Sequence, residues 1–111
     1  MDIEAIEVFA HDSNFAVMKP PGRHYPGCVI QGDSLATLCR MANRITEFAR
    51  STEIDDEDVL WDIQELNNAL IGRLLHYQDV LRRHNIDFPH VNAFSETDLV
   101  QLLPEGEKPA G

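Results

Sequence analysis

The sequence has few cysteines and no long hydrophobic run. Its 111 residues include two cysteines, Cys28 and Cys39, too few for a disulfide scaffold, which indicates a reducing compartment. No apolar stretch approaches the roughly 20 residues that cross a bilayer. The acidic beginning, residues 1–4, lacks the charged-then-apolar layout of a signal peptide. We therefore predict a cytoplasmic protein.

Basic residues are also scarce. Nine lysines and arginines stand against 19 aspartates and glutamates, which gives a formal net charge of −10. Nucleic acids and anionic membranes bind surfaces of the opposite charge, because both present phosphate groups. We therefore predict no nucleic-acid partner and no membrane partner, and we expect a basic protein partner.

Motifs for catalysis and metal binding are missing. The chain has no glycine-rich phosphate loop, no HExxH, no GxSxG and no CxxC. His24 and Cys28 could be drawn as a base and a nucleophile, but Cys28 lies in an apolar run, which is typical of an inert thiol. His84, Asp87 and His90 are the best remaining metal candidates. We predict no catalytic residue, no cofactor and no metal site.

The length fits one domain. We assign residues 1–103 to a single α+β domain and residues 104–111, rich in proline, glycine and glutamate, to a disordered tail. Short apolar runs at residues 3–9, 15–18 and 28–30 are separated by turn-forming residues. This pattern predicts a small antiparallel three-stranded sheet.

After Gly32 the apolar period changes from that of strands to that of helices. Asp33 or Ser34 is the expected N-cap of a first helix. A second helix is predicted from about Asp55 to His84 or Asn85, and Asn85 tolerates the left-handed conformation of helix terminators. The predicted core stripes are Leu35, Leu38, Cys39, Ala42, Ile45, Phe48 and Ala49 in the first helix, and Val59, Ile63, Leu66, Leu70, Leu74, Tyr77 and Leu81 in the second.

The predicted fold class is α+β, with a small N-terminal three-stranded antiparallel sheet packed on two long antiparallel helices, plus a short C-terminal helix. The short helix would span residues 95–103, since Ser95 begins a Ser-x-x-acid capping box. We expect the apolar face of the sheet to cover the stripes of both helices. This face contains Ile3 or Ala5, Val8, Val17 and Ile30.

The second helix is long for such a domain. About 30 helical residues span about 45 Å, whereas a compact domain of this length is about 34 Å across. We expect either a break near Gly72 or an overhang that packs on another molecule. A homodimer through the second helix is the simplest arrangement of the latter kind.

Residues 21–35 read PGRHYPGCVIQGDSL. This stretch resembles a family of small bacterial proteins of unknown function that carry a PGR-x-aromatic-PG-x-x-x-QGD-S-L motif. The resemblance covers this contiguous motif and the strand before it, implies a bacterial origin and brings no known activity. Small acidic bacterial proteins of this kind often resemble immunity proteins or antitoxins. This comparison rests on the general class of protein and not on shared motifs.

The loop between the two Pro-Gly pairs contains Arg23, His24 and Tyr25. One hypothesis is that a rigid loop presents Arg23 and Tyr25 to a partner, since both are favoured at the centres of interfaces. The alternative is a plain turn between strands, in which Arg23 pairs with a local carboxylate and Tyr25 covers the edge of the core. A small-molecule site or an enzyme built on these three residues is a further alternative.

The first half of the second helix is strongly acidic, with six acids and no base in residues 55–69. Helix-dipole complementation accounts for the acids of the first turn only, and Asp62 and Glu65 have no base four residues away. On a helical wheel Trp61 lies away from the main stripe, among the carboxylates. It would therefore belong to an interface, or pack under another segment of the chain.

These observations predict a partner-binding site rather than a catalytic one. The candidate residues are Asp58, Trp61, Asp62 and Glu65, with Arg23 and Tyr25 as a second patch. The leading hypothesis is an acidic cytoplasmic protein-binding module of the immunity or antitoxin type. Such a module occludes a basic partner, for example a toxin. The alternatives are a homodimeric structural protein and the small-molecule site at Arg23.

Overall fold

The computed structural model describes residues 2–12, 16–88 and 93–104. The α+β class predicted from the sequence is confirmed. His90 and the tail residues 105–111 lie outside the described residues, as do residues 13–15 of the predicted hairpin. In chain order the elements are β1 (Glu7–Ala10), β2 (Val17–Lys19), β3 (Gly27–Cys28), α1 (Gly32–Ser51), α2 (Glu57–Arg83) and a 3₁₀ turn (Glu96–Asp98).

The three strands form an antiparallel sheet in the order β1-β2-β3. Val8 pairs with Met18 in β2, and an irregularity follows before Ala10 pairs with Val17. The strand β2 ends at Lys19 because two prolines follow, which have no N–H to donate to a neighbouring strand. Gly22, at a φ of 81°, then turns the chain, a conformation that glycine adopts without steric cost.

The sheet does not cover the helices as expected. Val8 and Ile30 are exposed and Ile3 is 91% exposed, whereas Val17 is half-buried. Strands of two to four residues are at most about 13 Å long, which is too short to span two packed helices. The sheet instead lies beside the first turns of α1, with a cavity of about 730 Å³ between them. The cavity is lined by Val17, Cys28, Val29, Ile30, Ser34, Thr37 and Leu38.

The core lies between α1 and α2, which run antiparallel. Leu35, near the start of α1, clusters with Leu74 in the second half of α2. The buried face of α1 is formed mainly by small side chains: Ala36, Cys39, Ala42, Thr46 and Ala49. Small side chains allow two helix axes to approach closely. The buried hydroxyl of Thr46 donates to the carbonyl of Ala42 at 2.7 Å, so this polar group is satisfied.

The predicted core stripes were therefore only partly correct. Residues such as Ile45 and Phe48 in α1 and Leu66 in α2 are exposed. The buried face of α2 is centred on Ile71 and Leu74 and also contains Asn67 and Gln78. At 100° per residue, this face is rotated by about 70° from the predicted stripe. The prediction failed because the covered face contains amides, which a hydrophobic pattern does not count.

Both ends of α2 are capped by local chemistry, and the C-terminal end agrees with prediction. The Asp56 carboxylate caps the helix by accepting the backbone N–H of Asp58 at 3.0 Å and of Val59 at 3.2 Å. After the helix, Asn85 adopts a φ of 56°, as expected for a terminator. The helix is unbroken at Gly72, and the molecule extends 48 Å along its longest axis. The predicted break is thus absent.

The start of α1 and the C-terminal helix differ from prediction. The first helix begins at Gly32, with Gln31 as N-cap, before the expected Asp33 or Ser34. Only one 3₁₀ turn forms in residues 95–103, although the Ser95 N–H does donate to the Asp98 carboxylate at 2.9 Å. Leu99, directly after this turn, has an extended backbone. We call residues 93–103 the strap.

Across the described residues, neither helix is apolar enough over a sufficient length to cross a membrane.

Two glycine substitutions should change stability in opposite directions. A Cβ on Gly32 would overlap the ring and hydroxyl of Tyr77, whereas a Cβ on Gly72 meets nothing within 4 Å. We expect Gly32→Ala to lower the free energy of unfolding by about 1–3 kcal/mol, as overpacking does. The matched control Gly72→Ala should raise it by about 0.5–1 kcal/mol, since alanine is the better helix former. Urea unfolding followed by circular dichroism measures both, and equal stabilisation would contradict the predicted overlap.

Candidate interaction surface

The three carboxylates of the predicted patch are exposed on one stripe of α2. Asp58, Asp62 and Glu65 follow one another at intervals of four and three residues, which aligns them along the helix. Within the described residues the ion pairs all lie elsewhere, between Glu47 and Arg50 and between Asp79 and its neighbours Arg82 and Arg83. The charge of this stripe is therefore available to another molecule.

Trp61 is half-buried. Gln64 and Asn68, one and two turns further along the same side of α2, both bond to the strap. The side of the helix that carries Trp61 is thus the side that the strap partly covers. Two alternatives were predicted for the indole: a free interface residue, and a residue packed under another segment. Its partial burial is intermediate between them.

The Arg23-His24-Tyr25 loop presents its side chains to solvent. The N–H of Arg23 donates to the carbonyl of Pro20 at 3.2 Å, which closes the turn. Tyr25 is 77% exposed, and the His24 ring meets its edge with centroids 4.6 Å apart. The alternative in which Tyr25 covers the edge of the core is therefore wrong. Arg23 has no ion pair in the described part of the chain.

The loop and the acidic stripe lie at opposite ends of the helical pair. The loop leads through β3 directly into the first turn of α1, whereas the acidic stripe lies on the first turns of α2, beside the end of α1. The 20 residues of α1 span about 30 Å. The structure therefore does not bring these two predicted patches together into one site.

An exposed apolar surface lies where the sequence analysis predicted core. It comprises residues that are 40–65% exposed: Leu38, Met41, Ile45 and Phe48 in α1, and Val59 and Leu66 in α2. In both helices the stripe is rotated in the same sense from the buried face, which in an antiparallel pair places both stripes on one side. We call this surface the apolar face. Large exposed apolar side chains grouped on one side of a protein are typical of an interaction site.

Carboxylates border one end of the apolar face. The acidic stripe flanks it along α2, and the connection between the helices, which joins the Phe48 end of α1 to the Val59 end of α2, adds the exposed Glu53 and Asp55. An apolar centre with a charged rim is the usual anatomy of a protein interface. The sequence did contain a signal for this arrangement. Small residues recur on α1 at positions 36, 39, 42, 46 and 49, and amides recur on α2 at positions 64, 67, 68 and 78.

The metal-type and thiol side chains of the described residues lie apart from one another. No group of three or more metal-type ligands occurs in the residues described by the structure. Cys28 is exposed and Cys39 is fully buried in the core. Burial raises the pKa of the Cys39 thiol to about 11, the Asp98 carboxylate adds to the rise, and Arg40 opposes it. Cys39 therefore behaves as a small core side chain.

The fold and the surface together define a small acidic α+β protein whose helical hairpin exposes an apolar face. The chain belongs to a family of unknown function, DUF6959, whose model matches residues 1–90. The prediction of an uncharacterised family is thereby confirmed. No curated protein and no solved structure matches the chain.

The two thiols should differ in reactivity and in their effect on stability. We expect Cys28 to react rapidly with a disulfide reagent and Cys39 to react only when the protein unfolds. The unfolded thiol ionises near pH 9.0 and the folded one near 11, so stability is complete below pH 9.0 and is lost as the pH rises toward 11. The loss is at most about 3 kcal/mol, at about 1.4 kcal/mol per pKa unit.

Urea unfolding of the wild type and of Cys39→Ala between pH 8 and 11 isolates this effect from other titrations. The difference in stability between the two proteins should shrink as the pH rises. The control Cys28→Ala should keep the pH dependence of the wild type. A difference that stays constant across this pH range would contradict the predicted burial of a neutral thiol.

Proposed function

We propose that this protein is a protein-binding module that holds a basic, amphipathic partner segment on its apolar face. The observation that carries the proposal is the alignment of six large apolar side chains on one side of the helical hairpin, each 40–65% exposed. Full burial of such a side chain gives about 1.5–3 kcal/mol. Covering the exposed half of each gives about 1 kcal/mol, enough for a specific contact when several act together.

The acidic rim favours a basic partner over a second copy of this chain. Asp58, Asp62 and Glu65 have no ion pair within the described residues, and the whole chain carries a net charge of −10. Complementary charge speeds the encounter of two proteins, whereas like charges oppose it. A helix with apolar residues on one side and lysines or arginines at its edges matches both features of the surface.

The role that fits such a module is occlusion. An acidic protein that covers the basic surface of a partner blocks that surface without chemistry of its own, which is the mode of immunity proteins and antitoxins. A cytoplasmic location and a bacterial source agree with the low cysteine content and with the PGRHYPG motif. The support for this role is the charge and shape of the surface.

The exposed loop keeps a small-molecule site as a second candidate. Pro20, Arg23, His24, Tyr25, Pro26 and Gly27 line a depression of about 460 Å³. An exposed guanidinium beside two aromatic rings is suited to a planar anionic molecule. A thermal shift with a metabolite panel that Arg23→Ala abolishes would favour this candidate.

Binding to a designed probe tests the proposal. The probe is a synthetic amphipathic helix with leucines on one side and lysines at the edges of that side, and its control replaces the lysines by glutamates. We expect Phe48→Asp to weaken lysine-probe binding at least about tenfold, since a buried charge costs several kcal/mol. The matched control is Leu99→Asp, because Leu99 is also an exposed apolar residue but lies on the strap.

Two charge-reversal variants distinguish the contribution of electrostatic attraction from that of apolar contact. Asp62→Lys should slow association and reduce its salt dependence, whereas Glu96→Lys, the same charge change on the strap, should have little effect. Equal binding of the lysine and glutamate probes would contradict the proposal. If sedimentation shows a homodimer and Phe48→Asp dissociates it, the apolar face binds a second copy of this chain. That result would also overturn the proposal.

A further inference from the structure

The strap lies in a groove between α1 and α2 that is lined by side-chain amides. Asn68 binds Val100 at two points: its Nδ2 donates to the carbonyl at 2.8 Å, and its Oδ1 accepts the N–H at 2.9 Å. Gln78 binds Phe94 in the same way, with both distances 2.9 Å. Such paired contacts imitate the hydrogen bonding of a neighbouring β-strand.

Further amides extend the row. Asn43 and Asn67 both donate to the carbonyl of Asp98, at 3.3 and 3.1 Å. Gln64 accepts the N–H groups of Leu102 and Leu103, at 2.6 and 3.3 Å. We call these five residues the amide groove: Asn43, Gln64, Asn67, Asn68 and Gln78.

These contacts recognise the main chain of the strap and not its side chains. Among the strap side chains, Val100 is buried, at 9% exposure, and Phe94 packs against the core cluster. A site that binds main-chain atoms accepts many sequences, and its specificity depends on the few side chains that enter pockets. The amide groove therefore has the properties of a site for an extended peptide.

The residues that match the family model include the groove and not the strap. All five amides lie within the matched residues 1–90, whereas the strap begins at residue 93. The match thus includes the groove residues and does not extend to the strap.

We propose that the amide groove is a binding site for an extended polypeptide segment, and that the strap is the ligand that this chain supplies to it. The ligand class is a peptide with apolar residues at two positions six apart, matching Phe94 and Val100. The groove and the apolar face lie on opposite sides of the hairpin, so this inference does not depend on the proposed function.

Exchange of the strap depends on the net strength of its hydrogen bonds and on its tether to α2. When the strap leaves, the groove amides can bond to water, so each lost hydrogen bond costs only about 0.5–1.5 kcal/mol net. A tethered segment competes at an effective concentration in the millimolar range. A free peptide therefore replaces the strap only after the connection to α2 is cut.

The test uses the full chain with a specific protease site placed at residues 89–92, cut after folding. A fluorescent peptide of residues 93–104 is then added, and anisotropy measures its binding as it displaces the cut strap. We expect saturable one-to-one binding. A cut protein that loses its helical circular dichroism when the strap dissociates would show that the strap is an integral part of the core, and would overturn the proposal.

Two matched peptides test main-chain recognition. N-methylation at Val100 removes the N–H that Asn68 accepts, whereas the N–H of Gln101 makes no hydrogen bond within the described residues. We expect the first peptide to bind at least about tenfold more weakly and the second to bind like the parent. Equal binding of both would overturn the proposal, as would an unchanged affinity of Asn68→Ala for the parent peptide.

Discussion

The contact between α1 and α2 is the interaction on which the rest of the structure depends. Its α1 side is formed mainly by small residues, such as Ala42, Thr46 and Ala49, so the helices can approach closely. A narrow contact leaves little room for large side chains. Phe48 and its neighbours on α1 are consequently left outside the core, where they form one half of the apolar face. The exposed surface is thus a direct result of how the core is packed.

The same contact creates the need for the strap. Asn67 and Gln78 are almost completely buried, and a buried amide without partners would cost about 1–3 kcal/mol. The main chain of the strap supplies the partners at a defined register, because each amide meets particular backbone atoms. A satisfied polar network of this kind specifies one arrangement more strictly than an apolar contact would. The two sides of the hairpin thereby differ in character, one polar and occupied, the other apolar and exposed.

The acidic side chains make the two ends of the molecule different in charge. The carboxylates of Asp58, Asp62 and Glu65 lie next to the apolar face and distant from the Arg23 loop. The sheet contributes little to the core, and its main effect is to place that loop at the far end of the molecule. A partner attracted by the acidic stripe would therefore meet the apolar face first. The carboxylates therefore lie beside the apolar face, and the Arg23 loop lies apart from both.

The sequence by itself determined the order and type of the three strands and the two long helices, because these depend on local chemistry. Prolines after Lys19, the Asp56 cap and the left-handed Asn85 each act within a few residues. Hydrophobic periodicity also showed that both helices are amphipathic. It could not show which side of each helix is covered, since α1 and α2 each have an apolar stripe beside a stripe of small or amide residues. The covered side of each helix is decided by the tertiary structure. The packing of α1 on α2 and the hydrogen bonds of the strap decide it, because both join distant parts of the chain.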